Sequence, residues 1–273
     1  MSFYNTEDGY KLYYEEHGDI SKPALVMLHG LGGRTEWFCH QTEYFKEKYH
    51  VIVYDQRGHG RSERKNQNLT ITQMAKDLHD LTEYLKLDKI ILLGWSMGVN
   101  VALSYIHQFG DHKLSRLILV DNTPNMISSE SWNYGIYPDA MTALTDISQL
   151  MTIGWASYAL SSIPLFLGAE NSVSKEDRAW FDEIYPDNDT LAMTGIFASN
   201  LTTDLSLTLK EIHVPTLMTY GTYMSLCSKE VMEGLASYVE HVDIAAFEGG
   251  HFHFWQDAER FNKRVSEFIL SGC

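Results

Sequence analysis

KIILLGWSMG, Lys89–Gly98, decides the fold. After one lysine come two isoleucines and two leucines without alternation, as in a short strand buried on both faces. The run ends in Gly94-Trp95-Ser96-Met97-Gly98, and a helical pattern follows over Met97–Phe109. G-x-S-x-G between a strand and a helix describes a sharp turn that lifts the serine Oγ clear of the backbone. The small residues on either side avoid clashes at that turn. The helix start beyond it offers N–H groups and a positive dipole end to a developing oxyanion. Ser96 is therefore a candidate nucleophile; the plainer reading is a structural serine in a tight turn.

Working outward, strand-like runs fall at Lys11–His17, Ala24–His29, His50–Tyr54, Arg116–Val120, Val214–Tyr220 and Val239–Phe247. Helical patterns lie between them. Thr70–Leu85 opens on a capping threonine and carries Ile71, Met74, Ala75, Leu78, Leu81 and Leu85 in a helical stripe. Ala258–Leu270 is similar. Strands alternating with helices predict an α/β protein with a mainly parallel sheet covered on both faces. Ligands then sit beyond the carboxyl ends of the strands. The rhythm breaks from Asn122 to Thr208, a stretch rich in Trp, Tyr, Met and Leu. It is too long for a plain loop and reads as a helical lid. The expected division is a core of residues 1–121 and 209–273 with a lid of 122–208.

Two more loops belong at the same sheet edge. Ala24–Gly33 (ALVMLHGLGG) ends in glycines that let the backbone approach a ligand. The N–H groups of Leu31 and Met97 are the oxyanion-hole candidates. No Gly-Lys-Ser/Thr follows, so this is not a phosphate loop. His29 and Asp55 read as structural. His251, in EGGHFHFW, lies between the last strand and last helix, where a general base reaches the serine. His253 reads as a pocket or packing residue.

Composition narrows the chemistry. The chain has 273 residues, with 21 Lys and Arg against 36 Asp and Glu, a formal charge of −15. That balance argues against nucleic acid and anionic membrane as partners. The first residues lack the basic and apolar regions of a signal peptide, and no apolar stretch is long enough to span a membrane. Cys39, Cys227 and Cys273 form no metal or redox spacing and fit reduced thiols in a cytoplasm. No metal site and no cofactor is expected; the partner is a small-molecule substrate.

Taken together, LHGLGG, YDQRGHGRS (Tyr54–Ser62), GWSMG, RLILVD (Arg116–Asp121), VPTLMTYG and EGGH resemble the α/β-hydrolase superfamily, in its lid-bearing esterase and non-haem-peroxidase-like branch. Phe261 stands ten residues after His251, another family trait. Val99 is a mild departure, since many such serine motifs carry a further glycine there. The resemblance implies an eight-stranded, mostly parallel sheet and a Ser–acid–His order along the chain. It also implies an acid after VPTLMTYG, in a form like G-x-x-D. Here Gly221-Thr222-Tyr223-Met224 puts Met224 at that point. Methionine accepts no imidazole N–H as a carboxylate does.

Some members of the superfamily carry the acid after the preceding sheet strand, and here that strand ends in Asp121. Asp121 is the expected acid; its alternative role is to cap a turn or hold the lid's hinge. Asp243 and Glu248 fit less well. A Ser–His dyad assisted by water or Tyr223 is the remaining option. Trp95, Trp132 and Trp155 are expected to shape the substrate pocket. The lid's Tyr134, Tyr137, Tyr158, Phe166, Met126, Met141 and Met151 either line that pocket or form the lid's own core. The expected reaction is hydrolysis of a small-to-medium, largely apolar carboxylic ester through an acyl-enzyme. A cofactor-free dioxygenase or a carbon–carbon bond hydrolase using a His–Asp base is the rival, and a non-enzymatic ligand receptor is a third reading.

Overall fold

The unalternated apolar runs become buried strands, because only a sheet covered on both faces hides every side chain. The computed structural model describes residues 2–167 and 173–271. Its elements, in chain order, are β1 (Ser2–Asn5), β2 (Lys11–His17), β3 (Ala24–Leu28), α1 (Cys39–Phe45), β4 (His50–Tyr54), α2 (Ile71–Tyr84), β5 (Ile90–Trp95), α3 (Met97–Phe109) and β6 (Leu114–Val120). There follow α4 (Ala140–Ile153), α5 (Trp155–Leu167), α6 (Lys175–Ile184), α7 (Thr190–Thr202), β7 (Thr216–Gly221), α8 (Lys229–Ala236), β8 (Val242–Phe247), α9 (His253–Gln256) and α10 (Ala258–Leu270).

The eight strands form one sheet in the order β1-β2-β4-β3-β5-β6-β7-β8. β1 and β2 run antiparallel to their neighbours, and the rest are parallel. β1 was invisible as a pattern: only Tyr4 of its four residues is buried, and it pairs with β2 alone. The central strands β3, β4 and β5 are buried at every position. Register aligns Leu28 with Gly94, Trp95 with Val120, and Val120 with Thr219. The chain segments after β3, β5 and β6 therefore emerge side by side at one edge.

Helix α2 begins where Thr70 accepts the Gln73 N–H at 3.1 Å, a cap worth about 1 kcal/mol. Between β6 and β7 the described residues hold four α-helices, α4–α7, a 3-10 helix at Ser206–Glu211 and two isolated bridges, with no strand. No described helix is long and apolar enough to cross a membrane. Cys39 and Cys227 are free thiols. Cys273 lies outside the described residues, as do residues 168–172 of the expected lid.

Candidate active site

The turn after β5 answers to its glycines. A Cβ on Gly94 would collide with the Gly98 carbonyl, and one on Gly98 with the Leu28 carbonyl of β3. Ser96 between them has φ 55° and ψ −125°. That left-handed conformation costs on the order of 1–3 kcal/mol and persists only where the surroundings enforce it. Thr70, Asp139, Ser174, Asp189 and Ser228, all extended at their helix starts, turn a side-chain oxygen onto the helix's first turn. Ser96 also precedes a helix but makes no such cap. Its backbone keeps Oγ away from the α3 amides and leaves it available.

β6 ends one residue before Asp121, which has φ 50° and is fully buried. Its Oδ1 accepts the Cys227 N–H at 3.0 Å, and its Oδ2 accepts the Leu226 N–H at 3.1 Å. Oδ2 also lies 2.7 Å from Nδ1 of His251. Burial alone would raise the carboxyl's pKa, but the hydrogen bond and charge of His251 bring it below the ordinary value. With Nδ1–H donated to Asp121, Nε2 is the nitrogen left to take a proton. His251 is held by its backbone too: its N–H is shared between the carbonyls of Phe166 (3.0 Å) and Met224 (3.2 Å). Its own carbonyl accepts the Trp95 indole N–H at 2.9 Å. Met224 thus supports the histidine through its main chain, and the Leu226 and Cys227 amides of the same loop hold the Asp121 carboxylate. Nothing in the residue types of that loop announces these backbone roles.

Asp243 is engaged elsewhere, 2.7 Å from Arg264, and Glu248 is exposed. His253 is buried and donates from Nδ1 to the Gly250 carbonyl at 3.2 Å, so its Nε2 accepts the Thr219 hydroxyl at 3.0 Å. His29 donates from Nδ1 to the Gly30 carbonyl at 2.8 Å and accepts the Gln56 N–H at Nε2. It braces the loop that carries Leu31. Asp55 accepts the N–H groups of Thr35 and Arg61, each at 2.7 Å. Neither the Leu31 nor the Met97 amide donates to another group among the described residues.

Ser96, Met97, Leu31 and His251 all line one cavity of about 290 Å³, roofed by residues of α4, α5 and α7. Trp95 and Trp155 line it as well, as do Met126, Tyr137, Tyr158 and Phe166. Trp132 does not, which corrects the expectation for it. Its indole N–H donates to the Asn125 carbonyl at 2.9 Å, and its ring packs edge-on to Tyr134 near Tyr238. Its ring is buried among those neighbours instead of at the cavity. Met141 and Met151 point to solvent at 72% and 58% exposure. Tyr223 and Met224 are also outside the cavity lining.

A family model for the alpha/beta hydrolase fold matches residues 23–258. The chain belongs to the α/β-hydrolase family. This α/β-hydrolase is 24% identical to a bifunctional esterase/perhydrolase from Acinetobacter calcoaceticus, over 99% of the chain and 100% of that protein. It superposes on an esterase from Exiguobacterium antarcticum with a TM-score of 0.90 at 26% identity, covering 99% of each chain. A bromoperoxidase from Bacillus anthracis shares the fold, with a TM-score of 0.89 at 23% identity over 98% of this chain and 99% of that one. The esterase relatives support a hydrolase of esterase type.

Three buried histidines give this hydrolase an acid weakness. Burial, opposed only in part by neighbouring carbonyls and by Asp121, lowers His59 and His253 to about 4, and burial lowers His29 well below its usual value. The unfolded chain binds protons on these residues near the ordinary value of about 6.5, before the folded chain does. Stability therefore falls as pH drops from about 6.5 towards 4, by up to about 3 kcal/mol for each of His59 and His253, with His29 acting in the same direction. Urea midpoints measured from about pH 7.5 down to about pH 4.5 should decline steadily over that window. A flat midpoint would contradict the buried neutral state.

Proposed function

We propose that this α/β-hydrolase is a serine carboxylesterase acting on small-to-medium, largely apolar carboxylic esters. The observation that carries the reading is the 2.7 Å Asp121–His251 pair opening onto the same cavity as an uncapped Ser96. In this mechanism Ser96 Oγ attacks the ester carbonyl while His251 Nε2 takes its proton. The amides of Leu31 and Met97 receive the charge that develops on the carbonyl oxygen. His251 then protonates the departing alkoxide, and water attacks the acyl-enzyme with His251 again as base. Asp121 fixes the imidazole's tautomer and stabilises the imidazolium. Residues 122–208 act as a lid whose inner face, with Trp95 and Trp155, supplies the apolar walls.

The test is product partitioning. p-Nitrophenyl, phenyl and methyl esters of one acid are hydrolysed in water containing methanol as a competing acceptor. A common acyl-enzyme predicts one ratio of methyl ester to free acid from the two aryl esters, and exchange of labelled methanol into the methyl ester at the matching rate. A ratio that changes with the leaving group, or no turnover of any ester, would sink the reading.

A further inference from the structure

The cavity's inner wall carries a polar cluster that the hydrolytic mechanism does not use. Asp146 of α4 accepts the Tyr137 hydroxyl, and Tyr158 of α5 lines the same cavity. Burial, together with the charge of Asp146, raises both phenols above their usual value, so both stay protonated, and Tyr137 gives its proton to the carboxylate. Asn200 of α7 is 4% exposed and lines the same cavity. Its amide nitrogen sits 3.0 Å from the Met126 sulfur, while its buried Oδ1 has no hydrogen-bond partner. A buried carbonyl oxygen left without a donor costs about 1–3 kcal/mol, and a ligand N–H would remove that cost.

The cluster itself offers acceptors, namely carboxylate lone pairs, two phenol oxygens and one amide oxygen, beside the Gln149 amide that also lines the cavity. No lysine or arginine lines the cavity, and Asp146 forms no ion pair among the described residues. The aromatic side chains of Tyr137, Tyr158 and Trp155 line the same space, and aromatic rings attract cations to their faces. The net charge of −15 adds a long-range attraction of the same sign.

We propose that this wall is a subsite for an ammonium group of the substrate, held by Asp146 with the Tyr137, Tyr158 and Asn200 oxygens, so that the preferred ester is apolar near its carbonyl and cationic farther along. The proposal rests on the cavity being the ester site, and it sharpens the substrate class.

Binding is read without turnover, by quenching of the cavity tryptophans with hexylammonium, hexanol and hexanoate. Hexylammonium should bind at least about tenfold tighter than hexanol, the order expected of a charge-assisted hydrogen bond, and hexanoate should bind most weakly. Asp146→Asn should erase the tenfold preference, and Asp146→Glu should keep part of it. Equal binding of ammonium and alcohol by the unmodified protein would overturn the proposal, as would tightest binding of hexanoate. A preference that survives Asp146→Asn would place the ammonium elsewhere on the acidic surface and overturn it too. Because no ester is cleaved in this assay, an esterase lacking the preference and a non-hydrolytic chain possessing it give different results.

Discussion

Ser96→Ala is expected to lower ester turnover by on the order of 10⁴–10⁶-fold while leaving the protein folded. The magnitude follows from losing the nucleophile of a unit whose parts act together, so that only oxyanion stabilisation and binding remain. The folded state should barely notice. The Ser96 side chain caps no helix amide, and the turn that holds it is enforced by Gly94, Gly98 and the Ser96 N–H bond to the Val120 carbonyl at 2.9 Å. Alanine meets the same backbone, so stability should stay within about 0.5 kcal/mol of the parent. Steady-state kinetics on a chromogenic ester, paired with a urea melt, separates the two effects. Retention of more than about a hundredth of the parental kcat/KM would place the nucleophile on another residue.

Asp121→Asn should cost about 10³–10⁴ in kcat. The reason lies in the count of donors around the carboxylate. Cys227 N–H points at Oδ1, and Leu226 N–H and His251 Nδ1 both point at Oδ2. An asparagine has one oxygen for these three. If its oxygen faces His251, its NH₂ confronts the Cys227 N–H, and the carboxylate's charge is still gone. If its NH₂ faces His251, Nδ1 must become the acceptor and the imidazole proton moves to Nε2, where it faces the serine and cannot act as base. Either arrangement also leaves buried donors unpaired, at about 1–3 kcal/mol of stability. Two readouts distinguish the roles. A residue that merely caps the β7–α8 loop would lower the melting point and leave kcat nearly intact, whereas the acid of the triad loses both. Asp121→Ala with added formate offers a further check, since a small carboxylate entering the gap should recover part of the rate.

These expectations rest on parts that differ in how plainly they show in the chain. The strand–turn–helix at Lys89–Gly98 is legible because its apolar run, glycines and helical stripe each have a distinct period. β5 extends to Trp95, two residues past the apolar run, because Gly94 and Trp95 still pair with Leu119 and Val120 of β6. β7 starts at Thr216, after Pro215, which has no N–H to give to the ladder. The pairing of Asp121 with His251 could be framed in sequence terms, since it needed only the family order and a carboxylate at a neighbouring strand end. What Met224, Leu226 and Cys227 do through their main chains could not, because backbone contacts leave no mark on residue type. The placement of the aromatics between β6 and β7 was equally hidden. Trp132 and Trp155 look alike in the chain, yet one satisfies its N–H within its own loop and the other with the Tyr185 carbonyl, which sets its ring against the cavity. The Asp146 cluster draws on α4, α5, α7 and Tyr137, so only the packed helices bring it together.

In the proposed mechanism Ser96, His251 and Asp121 act as one unit, with Met224 standing where the resemblance implies the acid. Fluorophosphonate labelling followed by peptide mass spectrometry tests it most directly. A single adduct on Ser96 is expected, with none in Ser96→Ala and labelling slowed by at least about a hundredfold in Asp121→Asn. An adduct on a different residue, or an Asp121→Asn protein labelled on Ser96 at the parental rate, would contradict it.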